Sequence, residues 1–288
     1  MRTKLICLLA VLTIISSYFV SCTKDTPTGV QYLDTANFKY PFTIGSTWSY
    51  TRVQSVENIR PDSIIYQFNM YPFNSTGTIT ISHDTTINGV QTRCFIDNYT
   101  QDTTNWQSRT YYANYDSGLV CYGYRATGGG AGFPFRPSPN IKFLFNGNVY
   151  NSIEEIFISY GQLSNPKYSF KDTLYLENPP VNCLKYPILI GLEWFFKRIS
   201  NNLYIHKKYL GFENILVNNS IITCVKTERK WFGWNSEDYL YDYHSKYGQM
   251  KRDYYFKDII TINEFGDTLG FFDMRDIVTV NSFNIVNP

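Results

Sequence analysis

Apolar and polar residues alternate along much of this chain. In "SIIYQFNMY", Ile64, Tyr66, Phe68 and Met70 fall on one side, with Gln67 and Asn69 on the other. "TGTITIS" alternates Ile79 and Ile81 with Thr78 and Thr80, "DYLYDY" aligns Tyr239, Tyr241 and Tyr243, and "DIVTVN" aligns Val278 and Val280. A period of two over runs this long predicts antiparallel strands with two unlike faces. One segment follows a different rule. In "NSIEEIFISYG", Ile153, Ile156, Phe157 and Tyr160 keep helical spacing, Ser152 and Glu155 form a capping box, and Gly161 supplies a stop. Its β-branched content also suits a strand. The expected fold class is therefore mainly β, with at most one or two short helices.

The pattern also repeats. "YPFTIGSTWSYTR" at 40–52 returns as "YPILIGLEWFFKR" at 186–198, an offset of 146. "NGVQTRC" at 88–94 matches "NNSIITC" at 218–224 at an offset of 130, which also carries Tyr111 onto Tyr241, Gly118 onto Gly248 and Tyr124 onto Tyr254. Two tandem related antiparallel units are expected, curved sheets or half-barrels, at 38–150 and 165–288, joined by a connector at 151–164. In each opening phrase the proline suits a strand entry, because it lacks an N–H. Gly45 and Gly191 suit a turn with positive φ. Trp48, Tyr50 and Arg52 then point one way, as do Trp194, Phe196 and Arg198. Each Trp reads as a core anchor or as a ligand contact.

The N-terminus supplies an address. Arg2 and Lys4 precede a short apolar run from Leu5 to Ile15, and "FVSC" closes it at 19–22. That length and those flanks read as an export signal over 1–21. The small residue followed by Cys resembles the lipobox of bacterial lipoproteins, with Phe19 where that family usually has Leu. The resemblance implies that Cys22 is lipidated and becomes the first mature residue. The stretch 22–37, beginning "CTKD", is a flexible tether like those of Bacteroidetes lipoproteins. The "Y-P-x-x-x-G-x-x-W" openings, the strands ending in Cys and the Tyr-rich strands leading to "Y-G" resemble a set of Bacteroidetes-type exported lipoproteins without an assigned activity. That likeness implies a β-sheet lipoprotein of the cell envelope, on the outer membrane, and implies no reaction.

Composition narrows the partners. The whole chain has 26 basic and 24 acidic residues; losing Arg2 and Lys4 with the signal leaves 24 of each. A neutral chain without a basic stripe is a poor nucleic-acid binder. Aromatic residues make up 18% of it, which favours strands. After export, Cys94, Cys121, Cys183 and Cys224 remain, either as disulfides or as buried thiols. His83, His206 and His244 are not spaced for zinc, and no G-x-S-x-G is present. "GGGAG" at 128–132 runs into prolines rather than a helix. Glu154 and Glu155 diverge by about 100° on a helix, so they cannot flank one bond. No catalytic residue, cofactor or metal is assigned.

The candidate contact residues are aromatic. Trp106, Trp231, Phe232 and Trp234 sit near expected hairpin tips, where they would stack on sugar rings or a partner, or else pack on the neighbouring unit. Six Asp-Ser/Thr sites place Thr35, Ser63, Thr85, Thr103, Thr173 and Thr268 as candidate O-glycosylation positions, by likeness to exported Bacteroidetes proteins. The same dipeptides also suit turns. The expected function is a membrane-anchored, non-catalytic binding module for a glycan, an apolar ligand or an envelope protein. An exported hydrolase with a site assembled from distant residues, or a structural subunit of an envelope assembly, are the alternatives.

Overall fold

The computed structural model describes residues 33–68, 72–101, 104–127, 141–151, 153, 156, 173–198, 204–232 and 237–287. Nearly all of them lie in one large antiparallel sheet that curls almost into a barrel. The first half contributes β1 (Thr47–Arg60), β2 (Phe73–Ile87), β3 (Val90–Gln101), β4 (Thr104–Tyr115) and β5 (Gly118–Thr127). A small hairpin of β6 (Ile141–Phe145) and β7 (Asn148–Tyr150) follows, then β8 (Thr173–Lys185). The second half contributes β9 (Glu193–Arg198), β10 (Tyr204–Val217), β11 (Ser220–Phe232), β12 (Tyr239–Ser245), β13 (Gly248–Asn263) and β14 (Thr268–Asn284).

The sheet order is β8-β5-β4-β3-β2-β1-β14-β13-β12-β11-β10-β9, with β6 added beside β13. Apart from the inserted β6–β7 hairpin, each half is an up-and-down meander of six strands. The halves are joined where β1 meets β14, in a ladder running from Thr47 opposite Asn284 to Arg60 opposite Phe271. The other two ends, β8 and β9, come together without a ladder among the described residues. Side chains close that seam instead. Trp194 Nε1 donates to the Asn182 carbonyl at 2.9 Å, and Lys207 Nζ to the Cys183 carbonyl at 3.1 Å. The Tyr209 hydroxyl accepts from Lys185 N at 3.0 Å and donates to Lys185 O at 2.7 Å. Lys197 and Glu177 pair across the seam at 2.7 Å. Pro179 and Pro180 on β8 are exposed and have no N–H to offer, which protects that edge from further pairing.

The turns explain the repeated phrases. Gly45 and Gly191 have φ of 91° and 89°, as their place in the phrase requires. Gly45 N donates to Ile81 O and Ser46 N to Thr43 O; Gly191 N donates to Tyr209 O and Leu192 N to Leu189 O. The same turn thus hooks onto the second strand of each half. Trp48 and Trp194 are 2% and 4% exposed, so both are core anchors. Tyr50 and Phe196 beside them are buried too, whereas Arg198 is exposed. The β2–β3 and β10–β11 hairpins turn on Asn88–Gly89 and Asn218–Asn219, all four with positive φ, as type I′ turns need.

One expected strand is not a strand. Asp62–Phe68, the start of "SIIYQFNMY", forms a 3-10 helix after Pro61, with Asp62 in its first turn. Ile64 and Phe68 are buried four residues apart, while Ile65 is exposed. Burial at i and i+4 satisfies a helical turn as well as a period of two, and Pro61 favours the helical start. Met70 lies outside the described residues. In the connector, Ile153 and Ile156 are helical and fully buried; the rest of "NSIEEIFISYG" beyond Asn151 lies outside the described residues.

Two apolar ends enclose a polar middle. At one end Ile64, Phe68, Phe143, Phe145, Ile153 and Ile156 pack on Leu240, Phe256 and Met274. At the other, the incoming segment packs Phe38, Tyr40 and Phe42 against residues around Trp48 and Trp194. Cys94, Cys121, Cys183 and Cys224 are buried free thiols, and burial raises the pKa of each.

Candidate functional site

Between the apolar ends, the ladder pairings set a row of inward positions across seven strands. From β2 to β10 it reads Ser75, Arg52, Val278, Arg252, Asp242, Thr227 and Tyr209, each paired with the next. Asp242 is its centre. Arg229 Nε donates to Asp242 Oδ2 at 2.8 Å, and Lys207 Nζ stands 3.5 Å from the same oxygen. Gln249 Nε2 and the Tyr254 hydroxyl donate to Oδ1 at 2.9 and 3.0 Å. Burial alone would raise this carboxyl, but Arg229 and Lys207 outweigh it and hold it well below the usual range. Burial, helped by Arg229, pulls Lys207 down to about 8. His244, two residues along, is driven down to about 3 by burial and stays neutral.

The first half carries different groups. At the sequence offset of 130, Tyr99, Tyr112 and Asn114 correspond to Arg229, Asp242 and His244. But β3 and β4 pair in another register, with Tyr111 opposite Cys94 where Tyr241 is opposite Glu228, so Tyr99 and Tyr112 do not meet as Arg229 and Asp242 do. Tyr50 lies over Gly77, where a Cβ would come within 2.3 Å of its ring, and its hydroxyl donates to Asp97 Oδ1 at 2.8 Å. Burial raises Asp97 to about 6. Arg52 is held by Asp276 through two bonds of 2.7 and 3.1 Å. None of these groups stands out in the sequence, because a charge on an alternating strand reads as a solvated face.

The outer face near the seam carries a cluster of rings. Phe195 on β9 is 44% exposed, and its neighbours Trp194 and Phe196 point the other way into the core. Tyr204 and Phe232 stack across β10 and β11 with centroids 5.1 Å apart and planes within 7°. His206 lies 4.7 Å from Phe232 and 6.0 Å from Phe195, and its Nδ1 is 2.7 Å from Glu193 Oε1. Lys230 reaches over Phe232 at 5.8 Å.

The sequence candidates divide accordingly. Phe232 belongs to this outer cluster. Trp231 faces inward and packs against both apolar clusters. Trp106 sits on β4 opposite Tyr99, with its side chain outside the described residues, as is Trp234 altogether. Of the Asp-Ser/Thr positions, Ser63 and Thr268 are exposed, and Thr35 and Thr85 are partly buried. Thr173 opens β8 with its side chain outside the described residues; Thr103 and Cys22 lie outside them entirely. Sequence reasoning missed Phe195, Tyr204 and His206. Only the cross-strand register brings them together.

No family model matches this chain, nor does any curated protein. Two solved structures can be laid over it. One is a candidate exported protein with a YmcC-like fold from Bacteroides fragilis, at 10% identity and a TM-score of 0.32, covering 86% of this chain and 99% of that one. The other is a candidate lipoprotein from Parabacteroides distasonis, at 11% identity and a TM-score of 0.30, covering 85% of this chain and 97% of that one. Likeness at this level carries nothing about function over to this chain.

Proposed function

We propose that this is a lipid-anchored protein of the cell envelope that binds a glycan on its outer aromatic patch. The observation that carries the reading is the cluster of Phe195, Tyr204, His206 and Phe232 on a solvent-facing sheet surface. Sugar rings have apolar faces rimmed by hydroxyls. Aromatic faces beside Glu193, His206 and Lys230 offer both kinds of contact. The anchor reading rests on "FVSC", with Cys22 as the acylated residue and the outer membrane as its site. Several acyl chains would hold it there, each buried methylene adding about 0.8 kcal/mol.

The test is binding of envelope polysaccharides to the mature chain, followed by tryptophan fluorescence or affinity electrophoresis. Phe232→Ala and Phe195→Ala should each weaken binding about tenfold, the loss of one stacked ring. Unchanged affinity in both would remove the patch from the reading. Separately, Cys22→Ala should abolish acyl labelling and release the protein from membranes.

In the same reading the two meanders are copies of one unit. Against the expected bounds of 38–150 and 165–288, β8 (Thr173–Lys185) pairs with β5 and goes with the first meander, which moves the division to about residue 186. Support comes from the matching strand orders and the matching turn hydrogen bonds. The Asp-Ser/Thr sites remain candidates for glycan attachment, with Ser63 and Thr268 the most open of those whose side chains are described.

A further inference from the structure

We infer that the inside of the sheet holds a second binding site, for a small carboxylic acid that also carries a hydrogen-bond donor, with Arg252 as its anion-binding group. The inner cations are otherwise accounted for. Arg52 is paired with Asp276, and Arg229 and Lys207 with Asp242. Arg252 has no hydrogen bond or ion pair among the described residues; its guanidinium lies 5.2 Å from the Tyr254 ring, and its charge reaches Asp242, opposite it on β12, and Asp97 without pairing with either. Its Nε is shut off from solvent without a partner, yet the residue as a whole is only half-buried. The forked end of the side chain is therefore the part left open. A buried guanidinium nitrogen without an acceptor is costly, and a carboxylate meets the fork in two parallel bonds.

The surroundings define the rest of the ligand. Arg52 and Arg252 flank Val278, two strand spacings or about 10 Å apart. Arg52 keeps 12% of its side-chain surface open, so solvent reaches the row. Asp97 is half-buried, and among the described residues its carboxylate accepts a hydrogen bond from Tyr50 alone. It lies near enough to feel the charges of Arg252 and Arg52, but forms an ion pair with neither. An acid and a guanidinium that face one interior without pairing suit a ligand with both halves. Its carboxylate would lie on Arg252 and its hydroxyl or ammonium toward Asp97. Gln54 Nε2, inward on β1 beside this row, is a further buried donor without a partner.

The experiment is thermal unfolding of the full mature chain in detergent, at constant ionic strength, with L-serine, L-malate, acetate or inorganic phosphate. Serine or malate should raise the melting temperature by about 2–4 °C at roughly fivefold above Kd, and Arg252→Gln should abolish the rise. Without ligand, Arg252→Gln should melt close to wild type, because Arg252 makes no hydrogen bond or ion pair among the described residues and acts on Asp242 and Asp97 only at a distance. Arg252→Lys, which keeps the charge and loses the fork, should weaken binding about tenfold. No shift from serine or malate, a shift from phosphate alone, or a shift that survives Arg252→Gln overturns the assignment. So does a ligand-free variant that melts well below wild type, which would mark Arg252 as structural.

Discussion

His244 has a buried Nδ1 without a hydrogen-bond partner and an edge contact with Tyr40 at 6.3 Å. The charges around it are Asp242, Lys207 and Arg229. Its folded pKa of about 3 lies below the ordinary value of 6.5, so between those values the unfolded chain takes up a proton that the folded chain refuses. Its stabilising effect is complete above pH 6.5 and is lost as pH falls toward 3. Asp97 runs the other way, because its raised pKa favours the folded state as pH falls from about 6 to 4. Comparison with His244→Asn separates the two. In urea titrations between pH 6.5 and 4, wild type should lose up to ~1.4 kcal/mol per pH unit more than the variant. Equal slopes would mean that His244 is not held neutral. At this scale the sequence is legible only in its largest side chains. Trp48 and Trp194 announce themselves by recurring, whereas Arg252, Asp242 and Lys207 look like any charges on a strand until the sheet curls around them.

Strands were readable because their period is local. The hairpin turns were half-readable: the shared spacing of "NGVQTRC" and "NNSIITC" gave their correspondence, and positive φ at both pairs of turn residues gives its cause. Asp62–Phe68 misled because spacing of four satisfies both periods. Gly118 and Gly248, matched by sequence, each open the fifth strand of a half, and at Gly248 the reason is contact. Its φ is 108°, and a Cβ there would come within 2.7 Å of the Trp48 indole. That ring is fixed by its Nε1 bond of 2.5 Å to the Tyr247 carbonyl. Gly248→Ala should therefore destabilise the protein by about 1–3 kcal/mol, more than Gly89→Ala, where φ is also positive but no atom lies within 4 Å. Chemical denaturation of both variants checks the ranking. Equal losses would put the cost in the backbone alone.

Closure of the whole sheet could not be read from the chain. The β1–β14 ladder joins residues more than 200 positions apart, and no local pattern encodes it. The β8–β9 seam is less legible still, because single side chains close it. Tyr209 is the clearest of these, with one hydroxyl serving both backbone groups of Lys185. Tyr209→Phe should speed amide exchange at Lys185 by about tenfold and lower stability by ~1–2 kcal/mol. Protection unchanged from wild type would show that the seam is held by packing alone.

The place of β14, between β1 and β13, also bears on how the protein is made. A chain is made from its N-terminus, so hairpins of the first half can form before the last strand has emerged. Until it arrives, β1 presents a bare edge, and so does β13. A chain terminated early, before residue 268, would keep most of its hairpins and both signature turns. It would lack the joint, and its two bare edges would pair with other copies. Premature stops would then appear as aggregates rather than as unfolded chains.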